Sequence, residues 1–207
     1  MENIVITVAR QYGSGGKTIG EMFAKEMGIP CYGSNLLEMA SEESGIAEHL
    51  FRQLDEKLQN SPILRMTTDV YTGDVIPPSS SDFVSAKNLF NYQAKIMKRL
   101  AETESCVIIG RAADFVLKDY PNVVSVFVHA SEEFNLARAM ERNSMTEREM
   151  QKFIAKTDKY RADYYRHYTG REWTDARNYD LCLNSGKLGF EKCVDAIEAQ
   201  LKIMLNK

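Results

Sequence analysis

The run Val8-Ala9-Arg10-Gln11-Tyr12-Gly13-Ser14-Gly15-Gly16-Lys17-Thr18-Ile19-Gly20 is where residue types and spacing point most directly to chemistry. Clustered glycines let successive backbone N–H groups turn inward. A helix opening at the same place adds the positive end of its dipole, so the turn suits a phosphate. Gly16-Lys17-Thr18 completes the phosphate-loop pattern G-x-x-x-x-G-K-[ST], although Gln11 stands at its first glycine. Two other glycine motifs are excluded. The dinucleotide pattern G-x-G-x-x-G needs glycine where Thr18 stands and an acid where Tyr32-Gly33-Ser34 follows the second strand. The G-x-S-x-G nucleophile elbow needs glycine where Tyr12 stands. A turn that merely joins strand to helix is the plain alternative. The expectation is that Gly13, Ser14, Gly15, Gly16, Lys17 and Thr18 hold phosphates, with the Thr18 hydroxyl the natural ligand for Mg²⁺.

Cations that could meet such phosphates are unevenly placed. Between Lys152 and Arg171 lie six basic residues (Lys152, Lys156, Lys159, Arg161, Arg166, Arg171) and two acids (Asp158, Asp163), a local +4 that leaves −7 elsewhere in a chain of net charge −3. Local positive charge on a mildly acidic chain suits a specific anionic ligand better than a polyanion. Ile154, Asp158, Arg161, Tyr165 and Tyr168 share one stripe of a helix. Asp158 and Arg161 therefore either face a cleft together or form an exposed ion pair worth ~0.2–0.5 kcal/mol. Arg142, one turn after Arg138, is placed to reach a phosphate, but neighbouring Glu141 fits an ordinary surface helix equally well. Arg111 ends an apolar strand at its carboxyl edge, where ligands bind in open parallel sheets. No acid directly follows either central strand, since Arg111 and His129 stand there, so Mg²⁺ would be held mostly by phosphates and water. His49, His129 and His167 show no metal spacing, and the tyrosines at 160, 164, 165 and 168 receive no role.

The elements that must position these groups alternate between strand and helix. Ile4–Ala9, Cys106–Ile109 and Val123–Val128 are apolar on both faces, as strands of a covered parallel sheet are. Ile29–Tyr32 and Asp180–Leu183 are shorter candidates. Helical patterns occupy Lys17–Met27, Ser85–Glu102, Ala112–Lys118, Ser131–Arg142, Thr146–Tyr168 and Phe190–Leu205. Thr146-Glu147-Arg148-Glu149 fits a capping box. Thr67–Asp82, with Gly73, Pro77-Pro78 and Ser79-Ser80-Ser81, has no periodicity and is expected to be a mobile loop in an insertion from Asn35 to Phe83. The pattern is that of βαβ units in a three-layer α/β fold.

Composition bounds the rest. The 207 residues, 44% hydrophobic and 27% charged, are enough for one domain with a full core and exclude a disordered or fibrous chain. No stretch approaches a membrane span, and the amino terminus lacks the features of a signal peptide. Cys31, Cys106, Cys182 and Cys193 form no CxxC pair, so no zinc or disulfide framework is expected, and three of them sit in strand-like runs that would bury a thiol. A cytoplasmic setting and no nucleic-acid or membrane partner are the corresponding expectations.

The glycine cluster from Arg10 to Lys17 closely resembles that of the cytidylate kinase-like family, a branch of the P-loop nucleoside monophosphate kinases. The resemblance continues through Gly28-Ile29-Pro30, Asp55-Glu56-Lys57, Cys106–Asp114, Asp158-Lys159-Tyr160-Arg161, Tyr168-Thr169-Gly170 and Asn178-Tyr179-Asp180. It implies a three-layer P-loop kinase fold over 1–207, with a five-stranded parallel sheet, a helical acceptor-binding insertion (35–83) and a helical lid (143–177). It implies transfer of the ATP γ-phosphoryl group, with Mg²⁺, to a pyrimidine nucleotide, most simply CMP or dCMP. Ser34, Arg111, Asp158 and Arg161 would hold the acceptor, and Lys17, Arg142 and Arg161 would stabilise the moving charge. The family's Gly-Arg-Asp after the third strand is here Gly110-Arg111-Ala112, and its P-loop lysine falls on Gly16, one place before Lys17. A one-residue shift at a helix start turns a side chain by about 100°. Two readings therefore stand beside the nucleotide kinase. One is a P-loop kinase of another small acceptor, and the other is a nucleotide-binding regulatory module without turnover.

Overall fold

The computed structural model describes residues 3–53 and 68–205. Asp55-Glu56-Lys57 lies outside the described residues. The strands are β1 (Val5–Arg10), β2 (Cys31–Tyr32), β3 (Cys106–Ile109), β4 (Val123–His129) and β5 (Leu181–Asn184). They form one parallel sheet in the order β2-β3-β1-β4-β5, so β1 sits at its centre with Val5 opposite both Cys106 and Val123. The parallel sheet follows from the uninterrupted apolar runs, which only a sheet covered on both faces can bury.

Alternation along β1 shows the two faces. Val5 and Ala9 join one core cluster, while Ile6 and Val8 join the other. The second cluster packs β1, β3 and β4 against α1 (Gly16–Met27) and α8 (Phe190–Leu205), using Ile19, Phe23, Cys193, Val194 and Ile197. The first packs the opposite face against α2 (Leu36–Ser44), α3 (Ala86–Thr103) and α4 (Ala113–Val116). It also takes in Tyr164, Tyr165 and Tyr168 from α6 (Glu147–Thr169). Between β4 and α6 lies α5 (Glu132–Met140), and α7 (Ser185–Leu188) follows β5. The result is the expected three-layer α/β arrangement.

Helix starts follow their caps. Ser85 accepts from Asn88 N, Ser131 accepts from Phe134 N, and Thr146 with Glu149 makes the complete capping box that starts the long α6. Three expectations need correction. The segment after residue 67 is not a loose loop where it is described: Asp69 N and Tyr71 N donate to the carbonyls of His167 and Tyr168. Asn88 also receives Ile76 N and donates to the carbonyls of Ile76 and Phe83. Buried amides on α3 thus supply the ordering that local periodicity does not. The helix expected over Ala112–Lys118 shrinks to α4, and Cys182 is exposed because β5 is an edge strand. The cysteines are all free. No described helix is long and apolar enough to cross a membrane.

Candidate active site

At the carboxyl end of β1 the chain turns through Gly13 (φ 85°) and Gly15 (φ 77°) before α1 begins at Gly16. Both glycines occupy the left-handed region that an L side chain disfavours. A Cβ on Gly13 would lie 2.7 Å from Asn135 Cα, and one on Gly15 would run into the Phe190 ring. Gln11, by contrast, is not among the residues of positive φ, so the first glycine of the motif is not required here. Its amide nitrogen donates to Val128 O at 3.1 Å, and its Oε1 accepts from Ala130 N at 3.3 Å, which ties the turn to the end of β4.

Gly16 explains the position of the lysine. A Cβ there would lie 2.5 Å from Arg10 Cβ and 3.1 Å from Val128 Cβ, so a side chain at 16 has no room beside the Arg10 stem. The lysine stands one place later, on the outer side of the first turn. Its side chain is 71% exposed, with Nζ 3.5 Å from Glu21 Oε1.

Among the cavities of the described residues, two at the carboxyl edge of the sheet are lined by Arg10 and Arg161. One, of about 190 Å³, is bounded by Gly13, Gly15, Gly16, Lys17 and Thr18 on the turn and by Arg138, Arg142 and Arg161 opposite. The second, of about 230 Å³, is lined by Arg111, Asp114 and the aromatic walls Tyr160, Tyr164 and Trp173. Arg10 and Arg161 border both. Of the residues expected to hold phosphate, only Ser14 does not line the first cavity. It is fully buried, its hydroxyl donates to Gln11 O at 2.9 Å, and Ser185 Oγ donates to its carbonyl at 2.6 Å. Ser34 stands exposed after the edge strand β2 and lines neither cavity.

The Asp158–Arg161 pair of α6 is joined to the glycine turn. Asp158 Oδ1 accepts from Tyr12 N at 2.8 Å and from Arg161 Nη1 at 3.1 Å, while Arg161 Nη1 also donates to Arg10 O at 3.0 Å. The pair is thus not an exposed surface ion pair: it packs against the glycine turn with either side chain only about one-fifth exposed, and Arg161 borders both cavities while Asp158 lines neither. Burial raises the Asp158 carboxyl against the pull of Arg161, and burial lowers Arg161 despite Asp158. Both directions have the same cause, which is incomplete hydration of a charged cluster.

Arg111 reaches the second cavity through an unusual turn. Gly110 (φ 75°), Arg111 (φ 60°) and Ala112 (φ 52°) are all left-handed, so β3 bends sharply at the sheet edge. Left-handed non-glycine residues cost of order 1–3 kcal/mol each and are concentrated at binding sites.

Sequence reasoning missed Arg10, Asp114 and Tyr165. The signal for Arg10 was its position at the end of the central strand, immediately before the glycines. Asp114 borders the second cavity and accepts from Tyr165 Oη at 2.6 Å. Burial pushes its carboxyl up to about 6, against the hydrogen bond from Tyr165. A carboxyl raised in the fold favours the native state below its unfolded value near 3.8, and that advantage is lost as pH rises through 6. The gap of about two units corresponds to roughly 2–3 kcal/mol. Asp114→Asn is therefore expected to gain on the unsubstituted protein by about that amount between pH 4 and 7.5, measured by urea midpoints at both ends. Equal pH dependence of the two proteins would contradict it.

Among the described residues there is no cluster of His, Cys, Asp and Glu fit to hold a metal alone. The Thr18 hydroxyl on the first cavity, with no carboxylate in its lining, fits Mg²⁺ carried by phosphates and water.

Comparison with known proteins bears on the family and the fold. The chain is 23% identical to a cytidylate kinase of Sulfurisphaera tokodaii over 208 aligned positions, covering 99% of this chain and 98% of that one. A crystal structure of an uncharacterized protein from Eubacterium ventriosum superposes with a TM-score of 0.71 at 26% identity, covering 97% of this chain and 99% of the other. Shikimate kinase from Bacteroides thetaiotaomicron shares the fold, with a TM-score of 0.54 at 15% identity over 96% of this chain and 98% of its own. The sequence model of the cytidylate kinase-like family matches residues 5–187, which takes in the glycine turn, both arginine-bearing cavities and α6: the chain belongs to the cytidylate kinase-like family.

Proposed function

We propose that this protein transfers the γ-phosphoryl group of ATP to a nucleoside monophosphate, CMP or dCMP before others. The observation that carries the reading is the pair of adjacent cavities sharing Arg10 and Arg161. Phosphoryl transfer asks for two phosphates brought into line and cations at the point where they meet. In this reading Gly13, Gly15, Gly16 and the first turn of α1 hold the ATP phosphates, with Ser14 fixing the turn from below. The Thr18 hydroxyl would hold Mg²⁺, which would supply neutralisation of the phosphate charge. Lys17, Arg142 and Arg161 stabilise the moving charge. Arg111, Arg161 and Asp158 hold the acceptor phosphate and its surroundings, and Ser34, just ahead of the acceptor-binding insertion (35–83), completes the acceptor set from outside the two cavities. The lid (143–177) keeps out water, which would otherwise take the phosphoryl group.

The test is ADP release from Mg-ATP with CMP, dCMP, UMP and AMP as acceptors. Turnover is expected to depend on the acceptor, with the cytidine nucleotides best, and Lys17→Ala is expected to reduce it by a factor of ~10². A second reading, nucleotide binding without turnover, is favoured by one observation, the solvent-facing Lys17 paired with Glu21. ATP binding with no turnover on any acceptor would establish that reading and sink the first.

A further inference from the structure

Arg10 belongs to neither the phosphate-loop motif nor the lid pair, yet its side chain lies between them. Its Cβ fills the space that a side chain at position 16 would need. Its guanidinium reaches the β3 edge, where a Cβ on Gly110 would coincide with Arg10 Nη1. Glycines at both places thus make a channel for this one side chain, from the start of α1 to the turn that carries Arg111. Arg10 borders the glycine-turn cavity and the Arg111 cavity alike.

The electrostatics of the channel are unfavourable to a cation. Burial, together with the like charges of Arg161 and Arg111, pulls Arg10 down to about 9, and only the weaker attraction of Asp158 opposes this. The nearest acid is already engaged by Tyr12 N and Arg161. A partly buried guanidinium beside two others costs stability until an anion arrives.

We infer that Arg10 is the cation that spans the donor and acceptor phosphates, in the place that a lysine at position 16 would otherwise serve. The inference rests on the kinase reading and gives a role to a residue that the reading uses only as a shared wall of the two cavities. An oxygen of the acceptor attacks the γ-phosphorus and forms the new P–O bond. The bond from that phosphorus to the bridging oxygen breaks, and ADP leaves with the electron pair. Arg10 is unchanged by the step. Its planar fork contacts the γ-phosphoryl oxygens while the stem stays packed on Gly16.

The experiment uses Arg10→Met, which keeps a stem of similar length and removes the charge, alongside Arg10→Lys. Calorimetric titration with ADP and with a non-hydrolysable ATP analogue needs no acceptor, so its outcome is independent of whether CMP is the substrate. Arg10→Met is expected to weaken the ATP analogue by roughly 10- to 100-fold, the loss of one or two charge-assisted hydrogen bonds, and to leave ADP unchanged. Its thermal midpoint without ligand should equal or exceed that of the unsubstituted protein, because a repelled charge has been removed. Arg10→Lys should fall between the two in analogue affinity. Equal weakening of both nucleotides, or a lowered midpoint, would make Arg10 a structural prop and overturn the inference, as would an unchanged analogue affinity. Absence of acceptor-dependent turnover in the unsubstituted protein would instead count against the kinase reading alone.

Discussion

Arg161→Ala is expected to lower acceptor-dependent turnover by a factor of ~10² or more, the usual scale for removing one preorganised donor to a developing charge. The side chain borders both cavities, and its Nη1 is held by Arg10 O and Asp158 Oδ1, so its direction is set before any ligand arrives. Such preorganisation is what makes a cation effective in a transition state, since no reorientation is needed at the moment of transfer. Asp158→Asn provides the control. It keeps an acceptor for Tyr12 N and removes only the charge that fixes Arg161, so its loss should be smaller. Steady-state ADP release at saturating Mg-ATP reads both variants. An Arg161→Ala protein that turns over normally would mean that the acceptor is held elsewhere and that the helix stripe carrying Asp158 and Arg161 serves only to dock α6 on the glycine turn.

The largest effect on stability is expected from Phe90→Ala. Phe90 is 1% exposed and stacks on Tyr168 with ring centroids 4.0 Å apart and planes within 6°. It also meets Tyr71 and Tyr164 edge-on, at 5.5 and 6.0 Å. The ring therefore joins α3, the last turns of α6 and the segment after residue 67 in one cluster. Truncating a buried phenylalanine costs about 3–5 kcal/mol through lost transfer energy and the cavity left behind. In a chain of this size that lowers the thermal midpoint by roughly 10 °C. Circular dichroism melting checks it, and a midpoint within a degree or two of the unsubstituted protein would show that the cluster collapses around the gap. Because Tyr168 closes the helix that carries Arg161, the variant should also loosen nucleotide binding at temperatures well below its midpoint.

The fold was legible because its signals are local. Uninterrupted apolar runs at Val5–Ala9, Cys106–Ile109 and Val123–Val128 can be buried only in a covered parallel sheet, and the hydroxyl caps at Ser131 and Thr146 mark helix starts with a hydrogen bond that spans three residues. The glycine turn was legible for the same reason, as strand, glycines, Lys17-Thr18 and helix all fall within one short stretch. The segment from residue 68 to 85 was not, because its order comes from Asn88 and from the carbonyls of His167 and Tyr168, far away in sequence.

The candidate site divides along the same line. The sequence by itself placed the glycine turn, since glycine is the residue type that readily takes the left-handed φ found at Gly13 and Gly15. It also paired Asp158 with Arg161, which helical spacing alone brings together. Only the tertiary structure decided that this pair faces the turn rather than solvent, because the choice depends on Tyr12 N, 146 positions away. It alone brought Arg10, Arg111 and Asp114 to one cavity with Arg161, beside the left-handed bend that closes β3. Charge clusters of this kind are made by strand order, with β1 between β3 and β4, and strand order is set by packing over the whole sheet.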